Sequence, residues 1–288
     1  MRLPYFDAHC DTLSRCLHTG ESLLKNSGQC DLERLGAYQP AGQIFAIFAD
    51  SADIPPEERF GECRRQAELF ARSRERMKGA VLSIEGAELL DCDPGRLETV
   101  RDWGVRCVNL TWNHANALSG SHREEPERGL SEKGIAFARR AWELGILPDV
   151  SHLSDAGFWD LVRAARGPIL ASHSNSRAVC GHTRNLTDDQ FLAVRDSGGV
   201  VGINLFTAFV GGDGSMDALL AHFEHFLELG GEKTLALGSD WDGDITGAGG
   251  IRGAEDMCRL AEAMERKNYG EDLIRAIFYG NLARLLQI

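Results

Sequence analysis

The sequence lacks a long apolar run: no stretch approaches the roughly 20 consecutive apolar residues that a membrane helix needs. Its first residues, from Met1 to Asp7, also lack the positive start and apolar segment of a secretory signal. We therefore expect a cytoplasmic protein without a membrane partner. A basic excess is missing too. With 31 Lys and Arg against 43 Asp and Glu, the net charge is -12, which argues against a nucleic-acid partner because such binding relies on basic residues at phosphates.

Paired cysteine motifs are absent as well. The eight cysteines are scattered without a C-x-x-C pair, which excludes a zinc knuckle and a redox dithiol of that type. Because we expect a cytoplasmic chain, we predict that they are free thiols.

What the sequence does contain is a long alternation of short apolar segments with amphipathic ones. The 288 residues are 43% hydrophobic and 26% charged, a globular composition, and their number is close to the roughly 250 of an α/β barrel. Eight segments are predicted as strands: 5 to 11, 43 to 50, 80 to 85, 105 to 112, 146 to 152, 168 to 174, 199 to 206 and 234 to 240.

Amphipathic segments between these strands predict helices at 55 to 77, 131 to 144, 156 to 165, 188 to 197, 216 to 229 and 271 to 288. Strands that alternate with helices imply a parallel sheet, and eight such units imply closure. We predict a single (β/α)8 TIM-type barrel domain over residues 1–288. A doubly wound open sheet is the alternative, but Ala8-His9-Cys10-Asp11 stands where its glycine-rich phosphate loop would be. The long polar connection from 113 to 130 is predicted to be functional or mobile.

Residues that bind metals or carry protons stand at the ends of several predicted strands. In a barrel these ends converge on the face that carries active sites. His9 and Asp11 are one residue apart, so both would point to the same side of the first strand. The complete set is His9, Asp11, Glu85, His152, His173 and Asp240.

This set predicts a metal site rich in nitrogen and oxygen ligands. A lone strand-end histidine is more often a hydrogen-bonded structural residue, but several such residues beside carboxylates favour a metal. Glu85 can bridge two ions with its two oxygens. Zinc fits best, although manganese, iron or cobalt would also fit. Two ions would activate a water molecule for hydrolysis, with Asp240 as general base or proton shuttle. Asp242 is interpreted as a turn residue.

Motifs spread over nearly the whole chain carry a family resemblance. They are Asp7-Ala8-His9-Cys10-Asp11, Ile84-Glu85-Gly86, Leu110-Thr111 with Asn116, Gly129-Leu130-Ser131, Asp149-Val150-Ser151-His152, Ser172-His173-Ser174-Asn175, Arg184-Asn185, Gly238-Ser239-Asp240-Trp241-Asp242-Gly243 and Gly280-Asn281-Leu282. In order and spacing the chain resembles the membrane (renal) dipeptidase family, whose bacterial members include soluble cytoplasmic enzymes.

The resemblance implies a dipeptidase with two zinc ions and a small dipeptide as substrate. A homodimer is one assembly that we consider, but the sequence does not fix the oligomeric state. One zinc would be held by His9, Asp11 and Glu85. The other would be held by Glu85, His152 and His173, with Glu85 bridging the two ions.

Two further residues match family positions that contact the substrate. Arg184 matches the arginine that holds the substrate carboxylate, a task that suits a planar guanidinium. Asp240 matches the aspartate assigned to proton transfer and to contact with the substrate amine.

One position departs from the family pattern. Well-known members carry a histidine after Leu-Thr of the fourth strand, where this chain has Trp112. His114 is our candidate replacement in substrate binding. The remaining histidines are predicted to be surface or loop residues: His18, His122, His182, His222 and His225.

Two alternatives to a dipeptidase stay open. A related amidohydrolase could act on another small amide, a lactone or a lactam, because fold alone does not fix the substrate. Against it, Leu110-Thr111-Trp112 offers no lysine for a carbamylated bridge, and Arg184 favours substrates with a free carboxylate. A catalytically silent metal- or ligand-binding barrel is the other alternative, and the Trp112 departure is its best support.

Overall fold

Eight parallel strands form a closed barrel in a computed structural model that describes residues 3–288. The strands pair in chain order, and β8 returns to pair with β1. The predicted (β/α)8 barrel is therefore confirmed. The strands are β1 Tyr5–Asp7, β2 Ala41–Phe48, β3 Gly79–Glu85, β4 Val105–Asn109, β5 Leu147–Asp149, β6 Leu170–Ala171, β7 Val200–Ile203 and β8 Leu235–Leu237.

Helices surround the barrel and fill the connections between strands. They are α1 Thr12–Thr19, α2 Leu32–Leu35, α3 Pro56–Ala71, α4 Arg96–Trp103, α5 Glu132–Glu143, α6 Asp155–Ala164, α7 Asp188–Asp196, α8 Thr207–Val210, α9 Met216–Glu228, α10 Met257–Arg266, α11 Glu271–Arg275 and α12 Asn281–Leu286. The predicted helix over 55 to 77 ends earlier than expected, and the closing helix is interrupted by a π-helical turn at Ala276–Gly280.

Side-chain caps begin several of these helices. Ser131 accepts a hydrogen bond from the backbone N–H of Gly134, and Ser154 accepts one from Gly157. Thr187 and Gln190 form a reciprocal capping box at the start of α7. These bonds satisfy backbone N–H groups that have no partner within the helix, and they fix where each chain segment leaves the barrel rim.

Most strands end earlier than the sequence pattern predicts. His9 and Asp11 lie beyond β1, which stops at Asp7, so the expectation that both are strand residues is wrong. The reason is a change of hydrogen-bond partner. The Asp7 carboxylate accepts the backbone N–H groups of His9 at 3.0 Å and of Ser239 at 3.0 Å, and these bonds interrupt the regular ladder, of which only an isolated bridge between Cys10 and Trp241 continues.

The same arrangement recurs on the opposite side of the barrel. Asp149, the last residue of β5, accepts the backbone N–H groups of Ser151 at 2.9 Å and of Ser172 at 3.1 Å. Both carboxylates are buried. Each therefore ties a ligand-bearing segment to its neighbouring strand end, below the open face of the barrel.

The core consists of an apolar barrel interior and an apolar layer between strands and helices. Phe6, Ile44, Leu170 and similar side chains fill the interior, and the larger cluster packs outside it. Gly202 and Gly238 permit a close approach near the site, since a Cβ on either would lie 2.0 Å from the Ser172 carbonyl oxygen.

Two smaller predictions concern the cysteines and the membrane. All eight cysteines are free, as expected. Among residues 3–288, no helix combines the length and apolar character required to cross a bilayer.

Candidate active site

Five side chains predicted as metal ligands meet at the carboxyl-end rim of the barrel. They are His9, Asp11, Glu85, His152 and His173, and each is at most 8% exposed. His9 Nε2 lies 3.6 Å from Asp11 Oδ2 and 3.5 Å from Glu85 Oε2. One oxygen of Glu85 therefore faces the segment after β1.

The other oxygen of Glu85 faces two histidines from neighbouring strand ends. Glu85 Oε1 is 3.0 Å from His152 Nε2 and 3.5 Å from His173 Nε2. The two imidazole nitrogens are 3.0 Å apart. A single carboxylate thus stands between two ligand groups, which is the arrangement expected of a bridging ligand.

The chemistry of these residues fits divalent cations. The atoms of His9, Asp11 and Glu85, and those of Glu85, His152 and His173, lie within 4.8 Å of one another. Both ring nitrogens of His9 and Oδ1 of Asp11 are buried without a hydrogen-bond partner in residues 3–288. Buried polar atoms are rarely left unpaired, and a cation held by His9 Nε2 and Asp11 would satisfy two of them. The donor set of nitrogen and oxygen without thiolate suits zinc.

Hydrogen bonds behind the second group orient its imidazoles. His152 Nδ1 lies 2.9 Å from Asn113 Oδ1, and His173 Nδ1 lies 2.7 Å from Ser172 Oγ. Such outer contacts fix the tautomer of a metal-binding histidine. They leave Nε2 of each ring directed at Glu85.

Electrostatics differ sharply within the cluster. Burial lowers the pKa of His9, but the Glu85 and Asp11 carboxylates outweigh it and hold that pKa well above its usual value. Burial raises the pKa of Glu85 to about 8, against the opposing charge of His9. Before a cation binds, this part of the cluster retains protons.

The other two histidines behave in the opposite way. Burial holds the pKa of His152 well below its usual value, and the Arg184 cation adds to this effect. Burial does the same for His173, with smaller contributions from His9 and Arg184. Both imidazoles are therefore neutral at neutral pH, the form that binds metals.

Asp240 lies beside the ligand cluster on a backbone of left-handed conformation, with φ 67°. Its Oδ1 is 3.8 Å from His9 Nε2, and its Oδ2 accepts a hydrogen bond from Asn204 Nδ2 at 2.9 Å. Burial raises the pKa of Asp240, although His9 opposes the shift. A carboxyl group of raised pKa next to a metal site is suited to proton transfer. Its neighbour Asp242 accepts from Thr12 Oγ1 at 2.7 Å and so has a structural bond.

Arg184 is buried and lines the same cavity as Asp240. Its Nη2 donates to the carbonyl oxygen of His173 at 3.3 Å, and its Nε has no partner in the described residues. Burial lowers the pKa of Arg184 to about 10, so it is still a cation at neutral pH. An anionic ligand would satisfy both its charge and its free N–H group.

A cavity of about 730 Å³ opens above these residues. Its lining contains the acidic residues Asp11, Asp240 and Asp244 and the basic residues Arg123 and Arg184. The aromatic rings on the cavity are Phe48, Trp112, Phe206 and Phe209. The cavity therefore offers charged groups of both signs to a small zwitterion.

His114, the predicted replacement for the missing family histidine, does not line this cavity. Its Nε2 lies 3.1 Å from Asp50 Oδ1 and its Nδ1 lies 2.9 Å from Glu124 Oε1, so both ring nitrogens are engaged. These carboxylates raise the pKa of His114, Glu124 contributing most. The structure therefore keeps His114 away from the ligand cluster, while Trp112 does line the cavity.

Among the histidines predicted to be surface or loop residues, two occupy the cavity wall. His122 and His182 both line it, His122 with a ring centroid 5.8 Å from that of His152. His222 is completely buried in α9, where it accepts the N–H of Ser176, so its surface prediction is wrong. Asn113 also lies on the cavity wall and was not predicted. The available signal was its place in the polar connection directly after the fourth strand.

One family model matches most of the chain. The family model described as membrane dipeptidase, peptidase family M19, matches residues 56–288. An uncharacterized protein in the pqqA 5′ region of Klebsiella pneumoniae is 33% identical over 237 residues, which cover 78% of this chain and 87% of that protein. An uncharacterized dipeptidase of Schizosaccharomyces pombe is 30% identical over 240 residues, 79% of this chain and 56% of its own length.

Two solved structures superpose over the whole chain. Dipeptidase AC, a metallopeptidase of family M19, has a TM-score of 0.89 at 28% identity, covering 100% of this chain and 98% of that one. A metallopeptidase from Rhodobacter sphaeroides, liganded with a phosphinate mimic of the dipeptide L-Ala-D-Ala, has a TM-score of 0.88 at 28% identity and covers 100% and 99%. This chain belongs to the membrane dipeptidase family, peptidase family M19.

Proposed function

We propose that this protein is a dipeptidase that uses two zinc ions, and that residues 1–288 form one catalytic domain. One observation carries the proposal: the two oxygens of Glu85 face two separate groups of ligands, His9 with Asp11 and His152 with His173. When bound, zinc supplies Lewis acidity and lowers the pKa of a water molecule to near neutrality.

The remaining residues divide the work of hydrolysis. Arg184 binds the terminal carboxylate of the dipeptide. Asp240 binds the amine, accepts a proton from the attacking water and returns it to the departing nitrogen. The geometry that supports these roles is that both residues line one cavity together with Glu85 and His152 of the ligand cluster.

The charge distribution supports a small substrate with both termini free. A dipeptide is short enough for its amine and carboxylate to contact acidic and basic residues of the same cavity. The phosphinate mimic of L-Ala-D-Ala bound to the Rhodobacter sphaeroides protein supports including L,D-dipeptides among the substrates tested.

Elemental analysis of the purified protein, beside a panel of L,L- and L,D-dipeptides, tests this proposal. We expect about two zinc ions per chain and hydrolysis that chelation abolishes. Hydrolysis of other amides, lactones or lactams without any dipeptide would favour the amidohydrolase alternative. Bound metal without turnover of any of these would favour a binding protein.

Loss of the ions also has a stability readout. Ligands that bind only the folded state stabilise it by about 4 kcal/mol at a thousand times their dissociation constant. Chelation should therefore lower the melting temperature by roughly 8 °C. If the melting temperature did not change when zinc was removed, this would contradict a buried pair of zinc ions.

A further inference from the structure

The side-chain amide of Asn113 is held by two imidazoles. Its Oδ1 lies 2.9 Å from His152 Nδ1 and 2.9 Å from His122 Nε2. His122 is held in turn, because its Nδ1 lies 3.0 Å from Thr183 Oγ1. The chain from Thr183 through His122 to Asn113 therefore ends on a histidine of the ligand cluster.

The tautomers in this chain decide which way the amide faces. His152 offers Nε2 to the cluster, so its proton is on Nδ1, and the atom of Asn113 that faces it must be the carbonyl oxygen. His122 donates its Nε2 proton to the same oxygen and accepts the Thr183 hydroxyl at Nδ1.

With its oxygen fixed by two donors, Asn113 has only its NH2 group left to offer. That group makes no hydrogen bond within residues 3–288, and Asn113 lies on the cavity wall. Under the proposed function, Arg184 receives the carboxylate and Asp240 the amine. The scissile carbonyl oxygen still needs a donor, because Trp112 stands at the position of the histidine found in other members and His114 does not line the cavity.

We propose that Asn113 supplies this donor: its Nδ2–H binds the scissile carbonyl oxygen of the dipeptide and stabilises the negative charge that develops there. The inference rests on the proposed function. Asn113 is then a catalytic residue, and His122 is a positioning residue that fixes the amide. A preorganised donor aimed at a developing oxyanion typically contributes about 10²- to 10³-fold in kcat.

The variant Asn113→Asp tests the role of the amide NH2 group apart from that of the amide oxygen. It keeps an oxygen acceptor for His152 and His122 but replaces the NH2 donor by a second oxygen. We expect unchanged zinc content and a kcat lowered by about 10²- to 10³-fold. KM should change much less. A phosphinate dipeptide mimic should lose affinity by the same factor as kcat/KM, because it resembles the transition state.

Three further variants and a control complete the test. Asn113→Ala, which adds no charge, should lower kcat equally and also weaken zinc binding, because His152 loses its partner. His122→Ala should lower kcat by about tenfold, and His122→Gln, whose amide can donate to Asn113, should restore part of it. Asn268→Asp, an exposed residue after α10, is the matched control and should behave like the wild type.

Several results would overturn the inference. One is a normal kcat for Asn113→Asp or Asn113→Ala in a protein that hydrolyses dipeptides, which would leave the proposed function intact. Another is a raised KM with unchanged kcat, which would place the amide on the carboxylate instead. A wild type that neither hydrolyses dipeptides nor binds the phosphinate would reject the proposed function and this inference together.

Discussion

The two ligand groups on either side of Glu85 contain the same kind of residue in opposite electrostatic states. His9 sits among carboxylates that hold its pKa well above the usual value, whereas burial and the Arg184 cation hold the pKa of His152 well below it. A metal ion binding at the first group would therefore displace a proton from an imidazole, whereas one binding at the second would not. The difference shows that the neighbours, and not the residue type, set how each half of the site is prepared for a cation.

The largest effect is expected from replacing Glu85, the residue that both ligand groups share. Glu85→Gln leaves each group with one ligand fewer, and we expect fewer than one zinc ion per chain. Because metal catalysis contributes several kcal/mol, activity should fall on the order of 10³-fold or more. Glu262→Gln, on the exposed side of α10, is the control. Full zinc content in the Glu85 variant would show that the two groups do not share a carboxylate.

Removing the proton carrier should affect turnover without emptying either group. Asp240→Asn keeps the hydrogen-bonding shape next to His9, so zinc content should remain. We expect kcat to fall by about 10²- to 10⁴-fold, the usual contribution of general acid–base catalysis. Asp244→Asn changes an exposed aspartate that also lines the cavity, and it should lower kcat only slightly. If the Asp240 variant turns over at the parent rate, proton transfer has another route.

The role of the basic residues of the cavity, Arg184 and Arg123, can be tested through substrate binding. Arg184→Met removes a buried cation from the carboxylate position, and a hydrogen bond to a charged group contributes about 1.5–3 kcal/mol. KM should rise by about 10- to 100-fold. Arg123→Met, at the exposed rim, should change KM by less than about threefold because surface ion pairs contribute little. Equal effects of the two variants would reject Arg184 as the specific carboxylate site.

The pH dependence of metal affinity tests the electrostatic difference between the two ligand groups directly. Glu85 has a pKa of about 8 and His9 one well above its usual value, so protons occupy the first group at and below neutral pH. Metal affinity should fall as the pH falls below about 8, by up to about tenfold per pH unit for each proton displaced. Calorimetry in buffers of different ionisation enthalpy measures the protons released. Affinity that is independent of pH between about 6 and 8 would contradict these shifts.

The order of strands and the ligand cluster were predictable because both depend on patterns that the chain repeats. Buried runs alternate with amphipathic ones, and polar residues that follow such runs converge at one rim of a closed parallel barrel. Glu85 illustrates the success, since it is the last residue of β3 and stands between both groups. The role of these residues as ligands stays a prediction until a metal is measured.

Strand ends and loop geometry were not predictable for physical reasons. Asp7 and Asp149 end their strands by taking over backbone N–H groups, an event that hydrophobic periodicity does not register. His122 reaches the cavity because the connection from 113 to 130 folds back over the rim. Its position depends on contacts such as that with Thr183, which lies 61 residues further along the chain.

The buried carboxylates of Asp7 and Asp149 have a mechanical consequence. These carboxylates share the fastening of the segments that carry His9 and His152 with backbone bonds, such as those from Asp240 N–H to the His9 carbonyl oxygen and from Val150 N–H to the Leu170 carbonyl oxygen. The barrel below and the ligand residues above are thus joined by side-chain and backbone bonds together. A change at either fastening would shift the spacing between the two ligand groups while the eight strands below kept their register.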